Sequence, residues 1–192
     1  MRRIAILAFV LLACVSVSPQ VHAASSTPPP GGATQTDAVE GCMNEWLFDG
    51  IWRLKVDSVE SLSDPSMPGM FGWGVMVEVR NGTTRSDYTP SYTGSQSFSL
   101  GFADDTTLDV DATTTGTLDA QKITYHTFPQ AAAFKHELTF WYPSGTKQSE
   151  VSKPTKFLWI IDPKMQAQHV AEGQPGYTTK HPSFRVKLDC TK

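Results

Sequence analysis

Gly74-Val75-Met76-Val77-Glu78-Val79-Arg80-Asn81-Gly82 places a valine at every second position and ends on a turn dipeptide. A period of two puts Val75, Val77 and Val79 on one face of a strand and Met76, Glu78 and Arg80 on the other, so one side is dry and the other wet. Asn81-Gly82 then tolerates the positive φ of a tight turn.

The same alternation recurs on both sides of this stretch. Trp52, Leu54 and Val56 alternate with Arg53, Lys55 and Asp57; Phe98, Leu100 and Phe102 with Ser97, Ser99 and Gly101; Leu108 and Val110 with Thr107, Asp109 and Asp111. Further on, Ile123 and Tyr125 alternate with Thr124 and His126, Leu138, Phe140 and Tyr142 with Glu137, Thr139 and Trp141, and Phe184, Val186 and Leu188 with Arg185, Lys187 and Asp189. The unbroken apolar run Phe157-Leu158-Trp159-Ile160-Ile161 predicts a central strand covered on both sides, or one lying beneath a loop. Helical signals are sparse: Asp162 as cap, Pro163 in the first turn, Lys164 to Ala171 and Gly173 as terminator predict at most one short helix. About seven or eight short strands with alternating faces predict an all-β fold, an antiparallel β-sandwich in which two sheets bury their apolar sides against each other.

Ahead of the strands the chain opens Met1-Arg2-Arg3, runs apolar from Ile4 to Val17 and reaches Val21-His22-Ala23, the pattern of a secretory signal peptide over residues 1–23. A second reading takes Leu11-Leu12-Ala13-Cys14 as a lipoprotein signal with a lipid anchor at Cys14. Residues 24–40, with Pro28-Pro29-Pro30-Gly31-Gly32, read as a disordered tether, and residues 41–192 as the folded domain. No later run has the roughly 20 apolar residues a transmembrane helix needs. Cleavage after Ala23 leaves 169 residues; with Arg2 and Arg3 gone, Lys+Arg falls from 16 to 14 against 19 Asp+Glu, a formal net charge of −5. That balance disfavours nucleic acid as a partner. Cys42 and Cys190 are the two cysteines beyond the leader, and an oxidising, extracytoplasmic compartment, periplasmic or secreted, predicts a disulfide between them.

Trp46-Leu47-Phe48-Asp49-Gly50-Ile51-Trp52-Arg53-Leu54, then Gly74 to Gly82, then Leu138-Thr139-Phe140-Trp141-Tyr142-Pro143 ahead of Lys153-Pro154-Thr155-Lys156-Phe157-Leu158, resemble the immunoglobulin-like sandwich of small secreted bacterial proteins of the immunoprotective extracellular antigen type. The resemblance implies an immunoglobulin-like fold over most of residues 42–190 and brings no catalytic residues with it. Unlike the antibody type, no central strand carries a cysteine.

Several groupings could carry chemistry. Asp104, Asp105, Asp109 and Asp111 form the best candidate for a hard cation such as calcium, although the run lacks the glycine and terminal glutamate of an EF-hand loop. His126 and His136 would approach each other if their segments paired as a hairpin, and Met67, Met70 and Met76 are soft donors suited to copper. For each set the plainer interpretation is a solvated turn, surface histidines or loop packing. Asn81-Gly82-Thr83 fits a glycosylation acceptor as well as a turn. No Gly-x-Ser-x-Gly elbow is present, and no serine has a recognisable base. Trp46, Trp141, Tyr88 and Tyr92 are the aromatic residues expected on the surface, where flat rings stack sugars or anchor proteins. The sequence therefore predicts a non-enzymatic exported domain with no cofactor that binds a protein or a glycan, with an exported calcium- or copper-binding protein as the alternative.

Overall fold

The structure, a computed structural model, describes residues 38–64, 66, 68–88, 97–110, 114–162, 164 and 182–191. Its strands, in chain order, are β1 (Val39–Met43), β2 (Leu47–Phe48), β3 (Trp52–Ser63), β4 (Phe71–Asn81), β5 (Asp87–Tyr88), β6 (Phe98–Gly101), β7 (Thr107–Asp109), β8 (Thr127–Phe128), β9 (Ala133–Trp141), β10 (Lys156–Trp159) and β11 (Phe184–Thr191); α1 spans Thr114–Thr124. The first strand thus opens two residues ahead of Gly41. A five-stranded sheet has the order β1-β11-β10-β6-β7, a four-stranded sheet the order β2-β3-β4-β9, and β5 and β8 form a short ribbon.

The valine stretch is the centre of the four-stranded sheet. β4 pairs antiparallel with β3 and β9, Val77 standing opposite Val56 and His136. Val75, Val77 and Val79 are fully buried, as are Trp52, Leu54, Val56, Leu138 and Phe140 from the flanking strands. The five-stranded sheet answers with Phe98, Leu100, Phe157, Trp159, Phe184, Val186 and Leu188. Aromatic rings fill the space between these inner faces: Phe140 meets Phe157 of the opposite sheet edge-on at 6.4 Å, and within the five-stranded sheet Phe98 lies 5.6 Å from its cross-strand partner Trp159. Each such ring removes about 1.5–3 kcal/mol worth of apolar surface from water, so the two inner faces hold the sheets together as a β-sandwich.

Four local expectations need correction. First, the ladder is not wholly antiparallel: β1 runs parallel to β11, with Val39 opposite Phe184 and Gly41 opposite Val186. A parallel pair needs a long crossover, and here almost the entire domain supplies it. Second, Ile123 and Tyr125 do not alternate along a strand, because α1 occupies that segment and packs on β9. Ala120 and Ile123, three apart, turn inward together while Tyr125 is exposed. The helix thereby covers the open edge of β9, a side that would otherwise invite pairing with another chain. Third, the run Phe157–Ile161 is not covered on both sides. It belongs to a central strand, yet Ile160 is exposed while Phe157, Trp159 and Ile161 are buried. Fourth, Ser99 is not on a wet face: it is buried, and its hydroxyl donates to Asp109 Oδ1 at 2.5 Å.

Cys42 and Cys190 form a disulfide with Cα atoms 5.2 Å apart, across a sequence separation of 148. The bond fastens the parallel pair near a register shift between Cys42 and Met43. For the expected short helix, Asp162 Oδ1 accepts the Lys164 N–H at 2.8 Å, and the segment from 165 to 181 lies outside the described residues.

Candidate functional site

Beyond the disulfide the chain leaves the five-stranded sheet. Asn44 adopts φ 63° and donates its N–H to Val56 O at 2.9 Å; Glu45 Oε2 turns back to accept the Cys42 N–H at 3.1 Å, and Trp46 comes to lie on the outer side of the four-stranded sheet. There Trp46 meets the outward residues of β3 and β4. The Arg80 guanidinium lies 4.5 Å from the centre of its ring and the Lys55 ammonium 5.0 Å. One step along, Arg53 stands over Phe48 at 4.7 Å. Phe48 remains 41% exposed.

These cations belong to one network. Arg80 donates to Glu78 Oε1 through Nη2 at 2.7 Å and Nε at 3.0 Å. Lys55 bridges Glu78 at 3.1 Å and Asp57 at 3.0 Å, and Lys135 reaches Asp57 from β9 at 2.5 Å. Asp57 can face two lysines because it is the extra residue of a β-bulge between Val56 and Ser58. Burial alone would raise the carboxyls of Asp57 and Glu78, but the hydrogen bonds from Lys135 and Lys55, and from Arg80 and Lys55, outweigh it and hold both below the usual range. Three cations thus share two carboxylates, and Arg53 has no carboxylate partner among the described residues.

A hollow of about 250 Å³ opens beside this network, lined by Trp46, Arg53, Arg80, Asn81 and Ala131. Asn81 gives it a rigid wall. Its Nδ2 donates to Arg85 O at 2.7 Å and Phe128 O at 3.0 Å, and its Oδ1 accepts the Thr83 N–H at 2.8 Å and hydroxyl at 2.7 Å. The Asn81 side chain is therefore a buried staple between the loop after β4 and the strand β8, with both amide hydrogens committed to protein carbonyls. Beneath Phe48, Asp49 is only 3% exposed. Its Oδ1 accepts the N–H groups of Ile51 at 2.7 Å and Trp52 at 2.6 Å, while Oδ2 has no hydrogen-bond partner among the described residues. Desolvation outweighs those two bonds and pushes its carboxyl up to about 7.

The expected surface aromatics do not converge. Trp141 lies on the same outer face as Trp46 but opposite Gly72, at the far end of β4 from Arg80. Eight residues of strand separate these positions, about 26 Å. A Cβ on Gly72 would stand 2.9 Å from Trp141 Cε3, so the missing side chain leaves room for the indole to lie across the strand. Tyr88 is in β5, and Tyr92 lies outside the described residues.

The described members of the candidate metal sets make local contacts of their own. Asp104 Oδ1 accepts the Thr106 N–H at 3.1 Å and hydroxyl at 2.7 Å, Asp105 turns the chain at φ 63°, and Asp109 takes the Ser99 hydroxyl. Asp111 and Met67 lie outside the described residues. His126 and His136 each stack on Phe134, at 4.7 and 5.7 Å, and His136 Nε2 is 3.3 Å from Asp119 Oδ1. No group of three or more metal-ligating His, Cys, Asp or Glu side chains occurs among the described residues. Of the cluster that does form, Trp46 was legible from sequence, whereas Arg53 and Arg80 were placed only as strand residues and Phe48 only as part of the stretch that carries the resemblance. A faint signal was available: aromatic, aromatic and arginine at 46, 48 and 53, with a second arginine just before the Asn81-Gly82 turn.

Compared with models of known families and with curated proteins, the chain matches none. It is similar in structure to two solved β-sandwich-type chains. One is MPT63, a secreted protein from Mycobacterium tuberculosis, at 14% identity over 80% of this chain and 99% of that one, with a TM-score of 0.46. The other is an uncharacterised β-sandwich protein from Clostridium difficile 630, at 8% identity over 83% of this chain and 99% of that one, with a TM-score of 0.47. Among the described residues, no helix is long and apolar enough to cross a membrane.

Proposed function

We propose that this chain is an exported, non-enzymatic binding domain that engages a macromolecular partner, protein or glycan, on the outer face of its four-stranded sheet around Trp46 and Phe48. The observation that carries the proposal is the exposed Phe48 ring beneath Arg53, next to a Trp46 flanked by Arg80 and Lys55. Aromatic and arginine side chains of this kind dominate the energetics of interfaces, and a sheet backed by a packed core holds them in fixed positions. Export is supported by the leader pattern of residues 1–23 and by the Cys42–Cys190 disulfide, which belongs to an oxidising compartment. A non-enzymatic role is favoured because, among the described residues, the one His–Asp contact, His136 to Asp119, has Thr139 donating to the aspartate at 3.0 Å and no nucleophile placed on the histidine.

The test is site-directed photocrosslinking in the native extracytoplasmic fraction. A crosslinker at position 48 should trap a defined partner, lost on Arg53→Glu, while one at Tyr125, which is also exposed, should not. Equal labelling from both positions would sink the proposal.

A further inference from the structure

The charge at the Trp46 end of this face is opposite to that of the chain as a whole. The protein carries a formal net charge of −3, yet near Trp46 the cations Lys55, Arg80 and Lys135 share Asp57 and Glu78, and Arg53 adds a fourth positive charge, while Glu60 and Glu137 stand farther along the strands, level with Gly74 and Met76. Both carboxylates are already held by two cations each. Among the described residues Arg53 has no carboxylate, and Arg80, 45% exposed at its side chain, spends Nε and Nη2 on one oxygen of Glu78 and has no hydrogen-bond partner for Nη1. The two guanidinium groups line one hollow, walled by the immobile Asn81 amide and by Ala131.

The aromatic rings indicate what enters. The Trp46 ring carries a guanidinium at 4.5 Å and an ammonium at 5.0 Å, so a ligand reaching this ring meets positive charge as well as an aromatic surface. Phe48, 41% exposed, offers contact to an apolar side chain. A forked guanidinium matches a carboxylate geometrically and grips it more strongly than a neutral acceptor. Resting on the binding role proposed for this face, we infer that the Arg53–Arg80 hollow is a docking subsite for an acidic side chain of a protein partner, with an adjacent apolar residue lying against Phe48.

The probe is a six-residue peptide of glutamate and phenylalanine titrated into the full chain, followed by NMR through the Trp46 indole N–H and the Arg53 side-chain N–H. Its glutamine counterpart and an oligogalacturonate serve as comparisons. The acidic peptide should shift both signals, bind about tenfold or more tightly than the glutamine peptide, lose a similar factor in Arg53→Gln, and weaken as salt rises. Absence of a shift at millimolar peptide, equal binding of the acidic and glutamine peptides, or tighter binding of oligogalacturonate would each overturn the inference. Should the crosslink at position 48 still depend on Arg53 in that event, the face remains the binding surface and only the ligand class is wrong.

Discussion

The Arg80 guanidinium lies 4.5 Å from the centre of the Trp46 ring while two of its nitrogens hold Glu78 Oε1. One side chain therefore ties the crossover segment after β1 to the outer face of β4. A double-mutant cycle of Trp46→Leu and Arg80→Gln should return a favourable coupling of about 0.5–1 kcal/mol in urea unfolding. Strict additivity of the two changes would mean that the ring and the cation are neighbours without interacting.

The disulfide closes nearly the whole domain. For a sequence separation of 148, the chain-entropy treatment gives up to about 5 kcal/mol. Replacing both Cys42 and Cys190 with alanine should lower the unfolding free energy by about 2–5 kcal/mol, with the parallel β1–β11 pair the first to lose hydrogen-exchange protection. A melting temperature indifferent to the double substitution would contradict this.

Asp49 makes stability fall with rising pH across the mildly acidic range. Its folded carboxyl, near 7, sits above the 3.8 of an unperturbed aspartate, so the folded state keeps its proton over a range where the unfolded chain has lost it. Stability from this group is complete below about pH 4, falls as pH rises, and levels off above about pH 7, a loss of no more than about 4 kcal/mol. Asp57 and Glu78, held below their usual values, act in the opposite sense, and their contribution is lost as pH falls through the acid range. Asp49→Asn keeps an acceptor for Ile51 and Trp52 and has no proton to lose. Chemical unfolding across pH 4–8 should show the decline in the parent and its absence in the variant.

Asn81 makes four hydrogen bonds from a buried position. Asn81→Asp removes both donors and turns a carboxylate oxygen toward the carbonyls of Arg85 and Phe128. The expected cost is about 2–4 kcal/mol in equilibrium unfolding. A change smaller than a few tenths would show that the staple is not formed.

Much of the sandwich was readable because its information is local. Val75, Val77 and Val79, or Phe184, Val186 and Leu188, declare their inward face by period two alone. The cysteine pairing followed from compartment and number. α1 was not readable for a specific reason: Thr114-Thr115-Gly116-Thr117 is a poor helix start by propensity, and Ile123 with Tyr125 satisfies a two-residue period over so short a span. Tertiary packing of Ala120 and Ile123 decides the matter instead. The site was still less accessible, since Trp46 and Arg80 lie 34 positions apart and meet only after β3 and β4 have paired. Likewise nothing in the spacing of Trp46 and Trp141 reveals that one strand holds them at its opposite ends.

The placement of β1 carries a consequence for assembly. It has a single neighbour in its sheet, β11, which emerges from a ribosome or a translocase after every other described strand. β1 therefore waits without that partner while the strands between are delivered, and the slow, entropically costly meeting of remote segments must follow them. Oxidation of the two thiols then acts as a latch on the finished pair, and a nascent chain that still lacks β11 has nothing to latch.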